Sequence, residues 1–431
     1  MNKPVSSKCK VLIEKLVSGG DGLGHLDGYP VFVPLTAPGD VVIPKEVRKA
    51  RGVLFARDSS VISRSGERRE APCPWFGKCG GCQWMHLPYP AQLQWKRTVY
   101  SETVGRIAGL PEVVPVKVHS SPAEFGYRHR IRLKYDGKRF GFYRRSSRAV
   151  VSWEKCLLLP DLLNRTVEVL REALDGRGVD GRLRDLELAA DPAAESMTAM
   201  WVFEPGRRRS MGSAVLDNVE SALLSAGIPL AGQGVSIANR GKVVADRGGG
   251  LHFKVRGKPV KASPGTFLQV NPAVNEILVE RVEHHLGPGD GRLLLDLYCG
   301  NGNLSIPAAA AGFRVLGVES SPGAVRDAMD AAPDGCRFVT ADAAEYLSGS
   351  FDRWDVVVAD PPRTGLPAPL VEKLARISPP LIVYVSCEPA TLARDLARLT
   401  AAGYGIRTME LLDMFPQTSH VESITVLELG L

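Results

Sequence analysis

Hydrophobic and polar positions keep different periods in different parts of this chain. From the start to about residue 66 the apolar residues come in short runs, VLIEKL, YPVFVP and DVVIPKEVRKARGVLFARDSSVIS. They are cut by the glycine-rich GGDGLGHLDG and show no helical period. Short strands joined by tight glycine turns predict a small β-barrel. Residues 67–262 are less decided in pattern: a cysteine-rich stretch, an alternation of cations, then strands and helices that end in the turn DRGGG. From residue 263 strand and helix alternate regularly, which predicts a doubly wound parallel sheet. Three domains follow: 1–66, 67–262 and 263–431, the last of class α/β.

The last block has the most legible elements. LLLDLYCGNGNLSIPAAAAG, residues 293–312, reads as an apolar strand, a loop with Gly300 and Gly302, and an alanine-rich helix. Glycines there let the backbone approach a ligand at the strand's carboxyl end, where open α/β sheets bind nucleotides. The loop lacks the third glycine of a dinucleotide fold. FRVLGVES places Glu319 at the end of a second strand and FVTADAAEYL places Asp342 after a third. With Asp296 they put an acid at each strand end, an arrangement suited to the hydroxyls of an adenosine without phosphates, and S-adenosylmethionine is the natural candidate. The plainer alternative is that these acids cap the helices that follow.

The next strand, WDVVVADPPRTG, ends in Asp360-Pro361-Pro362-Arg363, where paired prolines make a rigid loop without backbone donors. LIVYVSCEPATLARDL carries Cys387 to a strand tip just before a helix, where helix-terminal N–H groups favour a thiolate. DMFPQTSHVESITVLEL reads as strand, polar loop and last strand, with His420 and Glu422 near the loop's end.

Composition narrows the setting. With 44% hydrophobic residues over 431 positions and no long uncharged apolar run, the chain reads as soluble and cytoplasmic, with no membrane segment. Reduced thiols are then expected, so Cys73, Cys79 and Cys82 in CPWFGKCGGCQW are not read as disulfides. Charge is uneven: residues 263–431 carry 12 Lys and Arg against 21 Asp and Glu, while the whole chain is +7. Residues 127–148 hold nine Lys and Arg, one Asp and five aromatics. The alternation Arg128, Arg130, Arg132, Lys134 predicts a strand with one cationic face, suited to an RNA backbone, with aromatics to stack bases.

Taken in order, the cysteine cluster, FLQVN (267–271), DLYCGNGN, DPPRTGL, SCEPATLARDL and FPQTSHVES resemble the RNA 5-methyluridine (uracil-C5) methyltransferase family. The likeness is to its iron-sulfur bacterial branch, which acts on 23S rRNA, and it runs from about residue 8 to the end. It implies a class I, Rossmann-like S-adenosylmethionine-dependent methyltransferase domain behind an N-terminal TRAM/OB-like barrel and a central iron-sulfur α+β domain. Four thiolates suit either zinc or an iron-sulfur cluster. The resemblance implies a [4Fe-4S] cluster on Cys73, Cys79, Cys82 and Cys156. It assigns Cys387 as the nucleophile that adds to uracil C6 and Glu422 as the base that removes the C5 proton. Gln269, Tyr298, Asn303, Glu319, Asp342 and Asp360 fall on its S-adenosylmethionine positions. Cys9, Cys299 and Cys336 have no partner in this scheme and read as ordinary core or loop thiols.

The implied partner is RNA, 23S rRNA first and tRNA second, for a monomer. Two other readings stand beside it. A 5-methylcytosine enzyme needs a cysteine in the loop after the fourth strand, where Asp-Pro-Pro-Arg offers none. A non-catalytic iron-sulfur RNA-binding protein would have no use for Cys387 and Glu422. A radical enzyme would require CxxxCxxC, which is absent.

Overall fold

The computed structural model describes residues 9–110, 116–174, 183–205, 213–238, 243–349 and 353–431, so residues 1–8 of the first segment lie outside the described residues. The first unit is two short sheets around one core. Val11–Leu12, Val41–Lys45 and Asp58–Ser63 form one; Lys15–Leu16, Gly22–Leu26, Tyr29–Val33, Val53–Phe55 and Arg48–Ala50, in that spatial order, form the other. The Ile13 N–H donates to Asp40 and the Glu14 N–H to Leu23, which ties the sheets together over Val11, Ile13, Leu26, Val31, Val33, Val42 and Leu54. A Cβ on Gly24 would stand 2.3 Å from the Leu12 carbonyl oxygen, so the close approach of the sheets requires glycine in mid-strand.

The middle of the chain builds a seven-stranded sheet. Its order is Val150–Val151, Phe140–Tyr143, Arg130–Tyr135, Leu183–Ala190, Met197–Phe203, Leu230–Ile237, Val243–Gly248. Helices Asp161–Leu174 and Ser213–Ser225 cover it, burying Leu163, Val167, Leu170, Val219 and Leu223 against Leu186, Leu188 and Trp201.

The cationic strand is not a bare cationic face. It pairs antiparallel with Leu183–Ala190, and Arg130 meets Glu187 at 2.9 Å, Arg132 meets Asp185 at 2.8 Å, and Lys134 meets Asp185 at 2.8 Å. Burial pushes the Asp185 carboxyl up, but its bonds to Lys134, Arg132 and Arg184 outweigh that and hold it below the usual carboxylate range. Three of the four alternating cations thus have carboxylate partners, but among the described residues Arg130, Arg132 and Lys134 share only Asp185 and Glu187 between them, so the face keeps a net positive charge.

The last block forms an eight-stranded sheet in the order Cys336–Thr340, Arg314–Glu319, Leu293–Leu297, Val356–Ala359, Leu381–Ser386, Glu422–Leu429, Tyr404–Leu412, Val116–His119. The first five run parallel, and Glu422–Leu429 is antiparallel to both its neighbours. Successive side chains alternate between two cores. Leu295, Leu297, Val357, Ala359, Ile382 and Tyr384 pack on one face; Leu294, Val356, Val358, Val383 and Val385 pack on the other. That is why these strands read as unbroken apolar runs.

One edge of this sheet comes from elsewhere in the chain. Helix Tyr89–Ala108 lies against helix Pro389–Ala401 and delivers Val116–His119 to pair parallel with Tyr404–Leu412. Behind that edge, Glu410 is buried among His119 (2.6 Å), His285 (2.8 Å) and Arg281 (2.8 Å), whose hydrogen bonds outweigh the effect of burial and keep it ionised. Among the described residues no helix is long and apolar enough to cross a membrane.

Candidate active site

The strand order reverses beside Leu293–Leu297, and a cavity of about 260 Å³ opens at the carboxyl ends there. Gln269, Tyr298, Asn301, Asn303 and Asp360 line it, joined by His129 from the middle of the chain. Tyr298 adopts φ +63°, a left-handed backbone rare for a bulky residue, and its N–H and that of Cys299 both donate to the Val318 carbonyl. Asn303 exchanges two hydrogen bonds with Asn275, at 2.8 and 2.9 Å, which fastens the glycine loop to helix Pro272–Leu286.

Of the acids expected here, Glu319 accepts from the Gly300 N–H at 3.3 Å and from the Ser321 N–H at 2.7 Å, so it stands directly behind the loop. Asp342 accepts from the N–H groups of Ala344 and Glu345, the capping geometry of the helix it precedes. Neither borders the cavity itself. Asp296 is buried, with one oxygen on the Ser305 hydroxyl and the other without a partner among the described residues. Burial, then Asp360 and Glu319, push its carboxyl up to about 7, although Ser305 opposes the shift. Cys299 packs with Ile306, Val325, Ala328 and Phe338 as a core thiol.

Cys387 follows strand Leu381–Ser386 and borders a second cavity of about 130 Å³. Its walls come from separate parts of the chain: Ser18 and Gly19 of the first unit, Lys96 and Tyr100 of helix Tyr89–Ala108, and His420. Asp360 lines the first cavity and acts electrostatically on both Cys387 and Glu422. The expected thiolate is not the resting state. Burial first, then Glu422 and Asp360, push the Cys387 thiol up to about 12, and Arg363 and a backbone N–H only partly oppose them. Burial and then Asp360 likewise raise Glu422 well above the carboxylate range, and its Oε1 has no hydrogen-bond partner among the described residues. Burial raises Asp360 to about 7. His420 moves the other way: burial, then Arg363, Lys96 and Arg128, push it down to about 4. Arg363 can only donate, so at 3.5 Å the Nδ1 of a neutral His420 is the acceptor.

Lys96 carries no mark of a site in the sequence, because helix Tyr89–Ala108 has no apolar stripe to show which side is buried, and a lysine in such a helix reads as solvent-facing. Its side chain is fully buried, with Nζ 2.5 Å from Asp413 and 2.9 Å from the Phe415 carbonyl. Removing either partner leaves a buried charge uncompensated, at a cost of about 3–5 kcal/mol. His129 escaped notice for another reason: its place at the first cavity depends on a long-range bond from its N–H to the Val270 carbonyl, 2.8 Å.

Cys73, Cys79, Cys82 and Cys156 border one further cavity with Trp75, Phe76, Phe142, Trp153 and Arg128, and all four are free thiols. Burial and the neighbouring thiols raise Cys79 and Cys82, and Cys156 reaches about 11, with Arg128 opposing each shift. Among the described residues no three His, Cys, Asp or Glu are grouped to hold a single metal ion.

The proton affinities set a pH dependence. The resting site favours the protonated forms of Asp360, Glu422 and Cys387. Rising pH removes those protons, so the single-turnover rate at saturating substrates should climb roughly tenfold from pH 6 to 8, following Asp360 at about 7. A rate that falls over that range contradicts the assignment. Stability has the opposite sign: a raised carboxyl favours the fold in its neutral form, a contribution present in acid and lost as pH climbs through about 7.

The chain is similar to known proteins along its whole length. The family described as tRNA (Uracil-5-)-methyltransferase matches residues 250–335 and 346–429, and the TRAM domain matches residues 5–43. An RNA methyltransferase of Aquifex aeolicus is 34% identical, over 97% of this chain and 98% of its own. A 23S rRNA (uracil(1939)-C(5))-methyltransferase of Pseudomonas putida is 33% identical, over 99% of this chain and 95% of its own. The solved tRNA (uracil-54, C5)-methyltransferase of Pyrococcus abyssi, in complex with S-adenosyl-L-homocysteine, superposes with a TM-score of 0.74 at 27% identity. It covers 97% of this chain and 100% of that one.

Proposed function

The chain belongs to the RNA uracil-5-methyltransferase family with an N-terminal TRAM domain, and from that premise we propose that it methylates C5 of a uridine in 23S rRNA through a covalent Cys387 adduct. The observation that carries the reading is that Cys387, at the tip of strand Leu381–Ser386, lies within electrostatic reach of Glu422 and of Asp360, which lines the first cavity. Preference for rRNA over tRNA rests on the 33% relative, against 27% for the tRNA enzyme.

S-adenosylmethionine supplies an electrophilic methyl group; Gln269, Tyr298, Asn303 and Asp360, which line the cavity, are proposed to hold it, and Glu319 and Asp342, expected with them, stand outside its walls. The cavity suits it: amides and a tyrosine line an apolar cleft and an acid stands behind the loop. Uracil C5 is a poor nucleophile. The Cys387 thiol gives its proton to solvent as Sγ adds to C6, electron density moves to C5, and C5 takes the methyl from the sulfonium, which leaves as S-adenosylhomocysteine. Glu422 then removes the proton left on C5, and loss of Cys387 from C6 restores the ring. High proton affinity suits Glu422 to that step, because once ionised it is a strong base. Neutral His420 serves as a hydrogen-bonding wall.

Within the same reading, residues 1–66, 67–262 and 263–431 are the RNA-binding, cysteine-bearing and catalytic units, with Val116–His119 lent to the last. Cys73, Cys79, Cys82 and Cys156 are proposed to hold a [4Fe-4S] cluster, in a structural role that orders the middle unit for RNA. What supports it is four free thiols on one aromatic-walled cavity, mutually repelling as thiolates and lined also by the cations Arg128 and Lys155. A single tetrahedral zinc would draw sulfurs to within about 4 Å of one another. A cubane gives each cysteine its own iron and needs no such convergence. Anaerobically purified protein should contain about four irons per chain, and Cys73→Ser should lose iron and solubility together. Stoichiometric zinc without iron overturns the cluster.

Mapping 5-methyluridine in the RNA of a deletion strain tests the substrate. A uridine in 23S rRNA should lose its methyl group; loss confined to tRNA overturns the rRNA assignment.

A further inference from the structure

Six hydrogen bonds converge on Gln417, and all come from residues 69–124. Its side-chain Oε1 accepts from Arg69 at 2.9 Å and Gln92 at 3.0 Å, and its Nε2 donates to Glu124 at 3.2 Å. Its backbone N–H donates to Gln92 at 2.9 Å, and its carbonyl accepts from the N–H groups of Gln83 at 3.2 Å and Trp84 at 3.0 Å. Arg69 can only donate and ionised Glu124 can only accept, so the amide has a single orientation. The residue is fully buried and holds φ +69°, a conformation that persists for a non-glycine only when its surroundings over-determine it.

The residues around it are held in the same manner. Lys96 donates to the Phe415 carbonyl, Tyr127 donates to the Pro416 carbonyl at 2.9 Å, and the Ser419 N–H reaches Gln83 at 3.4 Å. A Cβ on Gly20 of the first unit would touch Ser419 at 2.9 Å, so that turn also abuts the segment. Five residues beyond Gln417 the chain reaches Glu422, which opens the last strand. Glu422 lacks comparable support, since its Oε1 has no partner among the described residues. Its position is therefore inherited from the backbone on either side, which on the preceding side is the clamped segment.

We infer that Gln417 is a positioning residue for Glu422, through which residues 69–124 set the place of the base. The inference rests on the function proposed above and adds a role for a residue that touches neither substrate nor cofactor cavity.

Gln417→Glu keeps the acceptors for Arg69 and Gln92 but sets a carboxylate against Glu124. Adding Glu124→Gln exchanges amide and carboxylate across the same contact and restores it. The full-length protein, S-adenosylmethionine and an unmodified 23S rRNA transcript are the reagents. Gln417→Glu should slow turnover at least tenfold with the KM for S-adenosylmethionine within twofold of wild type. It should also accumulate methylated RNA covalently attached through Cys387, because the displaced base fails only at the last step. The double variant should regain turnover to within threefold and lose the adduct. A single variant that turns over normally overturns the inference, as does one that loses activity without adduct, or a double variant that is not rescued. A wild type that forms no 5-methyluridine instead sinks the underlying function.

Discussion

Cys387→Ala should abolish methyl transfer to RNA, lowering the rate on the order of 10⁴-fold or more, as loss of a covalent nucleophile does. The thiol lies outside the cofactor cavity, so S-adenosylmethionine affinity should stay within about twofold of wild type. Its raised proton affinity does not argue against the role. Burial, Glu422 and Asp360 disfavour a free thiolate at rest, and attack on C6 requires only that the thiol lose its proton as the bond forms. Donor-binding titration and single-turnover assays on one preparation separate the two effects, and unchanged turnover removes Cys387 from the mechanism.

Glu422→Gln should stop the reaction one step later. The neutral carboxyl that burial favours is nearly isosteric with an amide, so the fold should hold. A glutamine cannot take the C5 proton, yet nothing it lacks is needed for Cys387 to add to C6 or for C5 to accept the methyl. The expected product is a methylated RNA attached to the protein, seen as a slow band on a denaturing gel and absent from the Glu422→Gln, Cys387→Ala double variant. Normal turnover, or no adduct in a variant that binds both substrates, would pass the proton to another group. His420 is the first suspect, though at about 4 it is a weak base.

The catalytic sheet was legible because local signals and tertiary demands agree there. Runs such as LLLDL and LIVYVS are apolar but for Asp296 and Ser386 near their carboxyl ends, because both faces of the strands are covered, so the pattern reports the fold directly. The loop after LLLDL and the tip carrying Cys387 could be located for the same reason. The cationic strand was legible only in part, because Asp185 and Glu187, which pair with Arg130, Arg132 and Lys134 without cancelling their charge, lie about fifty residues further along the chain. Charge alternation shows which way side chains point and says nothing of what they meet. Val116–His119 could not be assigned to its sheet from four residues of strand pattern. Gln417 and Lys96 are polar residues in buried positions, and what they hold is visible only when segments about three hundred residues apart are brought together. The proton affinity of Cys387 was misjudged because a helix start argues for a thiolate locally, while Glu422 and Asp360 arrive through tertiary packing.

The central claim, that the methyl group of S-adenosylmethionine ends on uridine C5, is open to one direct measurement. The full-length protein would be incubated with trideuteromethyl-labelled S-adenosylmethionine and unmodified 23S rRNA, and the RNA digested to nucleosides for mass spectrometry. The account predicts a single labelled product, 5-methyluridine retaining all the deuterium, and none with Cys387→Ala. Label on a ribose, on a ring nitrogen or on cytidine, or labelled 5-methyluridine undiminished in Cys387→Ala, would contradict it.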